Sequence, residues 1–104
     1  MAKNELKLNK EMPFITKLSD DTWKVDTKVG TFTLQEQEWE KVERARKRAP
    51  NSTDIALVSD SIIEFNGTKR TFGEEELGKM KGSVIFRLLA AINQIYEVDD
   101  FLSE

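Results

Sequence analysis

Two groups of carboxylates and one run of basic side chains are the residues whose types and spacing could do chemistry in this sequence. Asp20, Asp21 and Asp26 share one short segment, and Glu74, Glu75 and Glu76 are consecutive. Carboxylates so grouped could hold a hard cation or divide acid–base work between them. A calcium loop of the EF-hand kind needs ligands at fixed spacing about a central glycine, and neither stretch has it. The glutamate triplet fits better at a helix N-terminus, where the backbone dipole favours negative charge. Arg44, Arg46, Lys47 and Arg48 form the main cationic cluster. A nucleic-acid contact there would need further cations converging on it, such as Lys69 and Arg70, because affinity grows with each phosphate neutralised. The cluster matches better the C-terminal end of a helix that opens on Glu36, Glu38 and Glu40.

The chain contains no histidine and no cysteine. The commonest general base and metal ligand is therefore missing, and so is every thiolate nucleophile, disulfide and thiolate zinc site. Triad hydrolases and most transition-metal enzymes are excluded, and the expectation is a non-enzyme with no catalytic, metal-binding or cofactor-binding residue. A net charge of −3 over 104 residues predicts neither nucleic-acid binding nor a strong pull toward membranes. No window approaches the run of about 18 apolar residues that a membrane span needs. The start Met1–Lys7 lacks the apolar segment of a secretory signal, which places the chain in a cytoplasm.

The elements that must position these residues are readable from pattern. Residues 1–12 hold too little apolar surface to offset ordering entropy and read as a mobile arm, or as a segment that orders on a partner. Residues 13–98 read as a single α+β domain, and 99–104 as an acidic C-terminal tail. Phe14–Leu18, Thr22–Asp26 and Thr31–Leu34 have the composition and alternation of short strands, which together make an N-terminal antiparallel β-meander. Thr33 and Glu36 have the spacing of a capping box, which would stop the third strand by Thr33. A charged surface helix then runs to about Arg48, with Glu40–Arg44 and Glu43–Lys47 as i,i+4 pairs and Trp39 as its anchor. After the break at Pro50, residues 54–61 suit a helix better than a strand. That helix leads into a second hairpin at Asn66-Gly67, the pair that best tolerates the positive φ angles of a type I′ turn. A brief helix or turn opens at Glu74. Ser83 is the expected cap of an amphipathic C-terminal core helix, whose stripe is Val84, Ile85, Leu88, Leu89, Ile92, Ile95 and Tyr96. Leu89→Asp is expected to unfold the domain.

Some large apolar residues fall outside this scheme. Phe86 lies off the stripe, on the side that carries Arg87 and Gln94, so another element covers it or it meets a partner. Phe101 and Leu102, flanked by acids, have the form of a short docking motif or of a frayed end. Trp39, Phe86, Phe101 and Leu102 are the candidate partner-binding residues.

The order of these segments resembles a known family. Met12-Pro13-Phe14-Ile15 with Leu18-Ser19-Asp20 precedes a strand, and Phe32-Thr33-Leu34-Gln35-Glu36-Gln37-Glu38 opens a helix. Ala56-Leu57-Val58-Ser59-Asp60-Ser61-Ile62-Ile63-Glu64-Phe65-Asn66-Gly67 follows, and the last helix carries Leu88-Leu89-Ala90-Ala91-Ile92-Asn93. That order is similar to the tail-assembly chaperones of long-tailed phages and to the small baseplate-hub assembly proteins of contractile-tailed phages. The resemblance implies a protein-binding role in tail or baseplate assembly, in the host cytoplasm, with phage tail or baseplate proteins as partners, often the long apolar tape-measure protein. It brings no site residues with it. The helix ending at Arg48 is more charged than a shielding surface should be, which keeps a permanent subunit of the virion tail in play beside a transient chaperone. Whether the chain forms a homo-oligomer stays open. The reading from another class is a phage-encoded acidic inhibitor of a host nucleic-acid-binding enzyme or defence complex. Glu74–Glu76 and Asp99–Asp100 would then imitate phosphate charge, with affinity falling steeply as salt rises.

Overall fold

The computed structural model describes residues 12–97 of the chain. β1 (Ile15–Lys17), β2 (Thr22–Thr27) and β3 (Gly30–Gln35) form the meander, and α1 (Trp39–Arg48) and α2 (Thr53–Ser61) follow. β4 (Ile62–Phe65) and β5 (Thr68–Lys69) make the second hairpin, ahead of α3 (Glu74–Gly78) and α4 (Gly82–Ile95). The fold is α+β, with one antiparallel sheet in the order β1-β2-β3-β4-β5. Strands consecutive in the chain are neighbours in the sheet, although α1 and α2 intervene between β3 and β4.

Alternation sets which face of the sheet is buried. Trp23 and Val25 on β2, and Phe32 and Leu34 on β3, point to one side and are buried. Lys24, Asp26, Thr31 and Thr33 occupy the other parity and stay half-buried. α4 lies against the apolar side with Val84, Leu88, Ala91, Ile92 and Ile95 buried, and α2 adds Leu57 and Val58 to the same core. The stripe read from sequence is therefore the packed face, with Ala91 as a further member. Burying one such aliphatic side chain is worth about 1.5–3 kcal/mol. Phe32, Phe65 and Phe72 form an aromatic cluster with centroids 4.8, 5.3 and 5.5 Å apart.

The second hairpin turns as its residues require. Asn66 and Gly67 both have positive φ, 53° and 81°, as a type I′ turn demands. The Asn66 Oδ1 also accepts the Thr31 N–H at 2.9 Å, which ties the hairpin tip to β3. Gly30 sits beneath that contact: a Cβ there would lie 2.7 Å from both Asn66 Oδ1 and the Phe65 ring. The β3–β4 register shifts between Thr33 and Leu34, leaving Ile63 as the extra residue on β4.

Local expectations fail in several places. β3 continues to Gln35, and α1 starts at Trp39 with no side-chain cap. The Thr33 capping box does not form because Thr33 and Leu34 pair with β2 on one side and β4 on the other. Fully buried Leu34 and two ladders outweigh a cap worth about 1 kcal/mol. Trp39 does not anchor α1; Val42 and Ala45 are its buried residues, while Trp39 is 67% exposed. Glu40–Arg44 and Glu43–Lys47 are not paired; Glu43 instead meets Arg46 at 3.6 Å, and Arg48 reaches across to other elements. Ser83 lies inside α4, whose N-cap is Lys81, and the Lys81 carbonyl accepts from the Val84 and Ile85 N–H groups.

Candidate interaction surfaces

Among the described residues, seven charged side chains form ion pairs, and most of these pairs centre on Arg48 and Arg70. Arg48 donates from Nε to Glu74 at 2.9 Å, and its Nη2 lies 2.8 Å from Glu74 and 3.4 Å from Asp60. The hydrogen bond to Glu74 raises the Arg48 pKa against an opposing desolvation, and the charge of Asp60 adds to the rise. Arg70 pairs with Glu76 and lies over the Phe72 ring, 4.0 Å from its centroid. Two of the three glutamates of α3 thus tie α1 and the segment after β5 to that helix. Exposed ion pairs contribute little to stability, but they turn Arg48 and Arg70 toward acidic neighbours, while Glu75 makes no ion pair among the described residues.

The N-terminal aspartates do not converge either. Asp26 accepts the Thr31 hydroxyl at 2.8 Å, and Asp21 accepts from Ser19 at 3.2 Å and from Gln35 at 3.3 Å. Among the described residues, no three carboxylates gather closely enough to hold a metal ion, and no helix is long and apolar enough to cross a membrane.

Two polar contacts that the sequence did not signal fix the C-terminal helix. The Tyr96 hydroxyl accepts the Gln37 backbone N–H at 2.8 Å and lies 3.0 Å from the Ser61 hydroxyl. Burial raises the Tyr96 pKa, and its hydrogen bonds to Ser61 and Gln37 oppose that rise. Arg87 donates to the Asp26 carbonyl at 2.8 Å and lies 4.5 Å from the Phe14 ring centroid. The Tyr96 contact spans 59 residues and the Arg87 contact 61, so no local pattern announces them.

Of the candidate partner-binding residues, Trp39 is 67% and Phe86 73% exposed. Phe86 sits on the outer face of α4, opposite the buried stripe, and Trp39 opens α1. Ten residues, or about 15 Å of helix axis, separate Phe86 from Tyr96, and Tyr96 touches the residue two before Trp39. The two aromatics stand on separate elements, and no aromatic pairing among the described residues includes either. Leu18 and Val29 are further exposed apolar side chains that the sequence pattern did not single out. Phe101, Leu102 and the acids at 99 and 100 lie outside the described residues, as does the arm up to residue 11.

A groove of about 240 Å³ lies along α1, lined by Gln37, Lys41, Arg44, Arg48 and Asp60. Lys41, Arg44 and Arg48 follow at i, i+3 and i+7, which places them on one flank of the helix. Trp39, Glu43 and Arg46, at i, i+4 and i+7, share another flank. The groove and the exposed indole are therefore different surfaces of one helix.

No protein-family model matches the chain, and no curated protein or solved structure is significantly similar to it.

Proposed function

We propose that the chain is a non-enzymatic protein-binding module of phage tail or baseplate assembly, acting as a tail-assembly chaperone or a small structural subunit. The observation that carries the binding role is the exposure of Trp39 and Phe86, 67% and 73%, on helices whose buried faces are already filled. Neither indole nor phenyl contributes to the core, and aromatic side chains are enriched at protein interfaces. The phage partner class comes from the sequence resemblance alone, and the tape-measure protein is its foremost member. Binding through apolar contacts should persist at high salt, unlike phosphate mimicry. The inhibitor reading is weakened by the ion pairs that engage Glu74 and Glu76.

The test is a tagged pull-down from cells producing the source's tail and baseplate proteins, washed at low and high salt and read by mass spectrometry. Wild-type protein should retain tail components through the high-salt wash, and the Trp39→Ala/Phe86→Ala protein should lose them while keeping its circular dichroism spectrum. Equal recovery by the double variant would remove these aromatics from the interface. A host nucleic-acid-binding enzyme recovered only at low salt would replace this reading with the inhibitor.

A further inference from the structure

The groove on α1 has a charge pattern that the aromatic contacts leave unused. Its C-terminal end is internally balanced, because Asp60 and Glu74 both engage Arg48. Its N-terminal end is not: among the described residues, no carboxylate lies within 4.0 Å of the cationic group of Lys41 or Arg44. These two cations are one turn apart on the same flank, a spacing that places their Cβ atoms about 5–6 Å from each other. Like charges so placed destabilise a helix modestly, and an anion between them relieves that repulsion. Gln37 closes the same end of the groove. Its side-chain amide donates to the Gln35 carbonyl at 2.9 Å, which leaves Oε1 as an acceptor.

We infer that this flank is a docking site for an acidic peptide segment of a partner protein, with Lys41 and Arg44 taking its carboxylates. Three features favour a peptide over a polyphosphate or a free small molecule. The Asp60 carboxylate, which Arg48 balances, offers acceptor oxygens that peptide N–H groups can use and that a phosphate backbone, having no N–H donor, cannot. Gln37 offers an amide acceptor suited to a main-chain donor. The volume of about 240 Å³ falls below the range of about 300–1,000 Å³ that encloses a drug-sized ligand, and suits one or two side chains of a longer segment. Trp39 lies on another flank and Phe86 on another helix, so this site stands whether or not the aromatics form an interface.

The probe is a fluorescein-labelled octapeptide of alternating glutamate and serine, followed by fluorescence anisotropy against the full chain. A glutamine–serine octapeptide and a labelled oligothymidylate of equal length serve as comparisons. Wild-type protein should bind the acidic peptide in preference to both, with affinity falling as salt rises from about 0.05 to 0.5 M. Lys41→Glu/Arg44→Glu should weaken binding about tenfold or more, whereas Arg46→Glu/Lys47→Glu, which changes net charge equally, should stay within about twofold. If the first pair fails to fold by circular dichroism, Lys41→Gln/Arg44→Gln replaces it with the same expectation. Equal loss in both charge-reversal pairs, equal binding of the glutamine peptide, or tighter binding of the oligonucleotide would each overturn the inference.

Discussion

One hydroxyl shows how much a single residue carries here. Tyr96 satisfies the Gln37 N–H and meets fully buried Ser61, so it joins the end of α4 to the approach to α1 and to the end of α2. Tyr96→Phe removes both contacts and should cost about 1–3 kcal/mol, read from urea denaturation. Burial holds the folded-state pKa above the ordinary 10.0. The folded protein therefore keeps the phenol proton more tightly than the unfolded chain does. That contribution is whole below pH 10 and is lost as pH rises through the folded value. The stability gap between wild type and Tyr96→Phe should be flat near neutrality and narrow above about pH 10. A gap unchanged to about pH 11 would mean the phenol is not held neutral by burial.

Turn chemistry acts at the level of the element, and there the sequence was most legible. Asn66-Gly67 announced its own geometry, and the observed φ angles of 53° and 81° follow from it. Asn66→Val forces a β-branched residue into the left-handed region and strips the Thr31 N–H of its acceptor. The expected loss is about 1–3 kcal/mol, seen as a lower urea midpoint with an unchanged slope. No change would mean that the hairpin adopts another turn without cost. The Thr33–Glu36 pair had an equally clear local signature and yet formed no cap. A cap competes only with alternatives nearby in the chain, whereas Thr33 and Leu34 are claimed by strands on both sides. Secondary structure at that junction was decided by sheet pairing that a window of a few residues does not contain.

For the whole molecule, the contact of α4 with β2 and α2 is the feature on which the rest depends. The periodicity of α4 identified its buried face but did not rank neighbours on it. Leu88 is fully buried, whereas Leu89 is only partly so. The severe substitution is therefore Leu88→Asp, which places a charge in the core with no partner and should abolish the folded circular dichroism signal. Leu89→Asp should be milder, a lowered melting temperature with the fold retained. Equal collapse of both variants would show that the edge of the stripe matters to the core as much as its centre does.

The α+β class, the turn at Asn66-Gly67, the apolar stripe of α4 and the lack of histidine and cysteine chemistry were all legible in the chain before it was folded. Alternation, helical period and turn preference act over about ten residues or fewer, so one chain segment states them completely. Which charges are paired and which side chains face outward emerged from the packed molecule. Arg48 and Glu74 are 26 residues apart, and Gln37 and Tyr96 are 59 apart. Trp39 reads as a helix anchor, but α1 packs through Val42 and Ala45, which lie about a quarter turn round the helix from Trp39, and the indole faces out. Exposure and ion pairing depend on how separate elements approach one another, and that approach is fixed by the whole core, not by any segment of it.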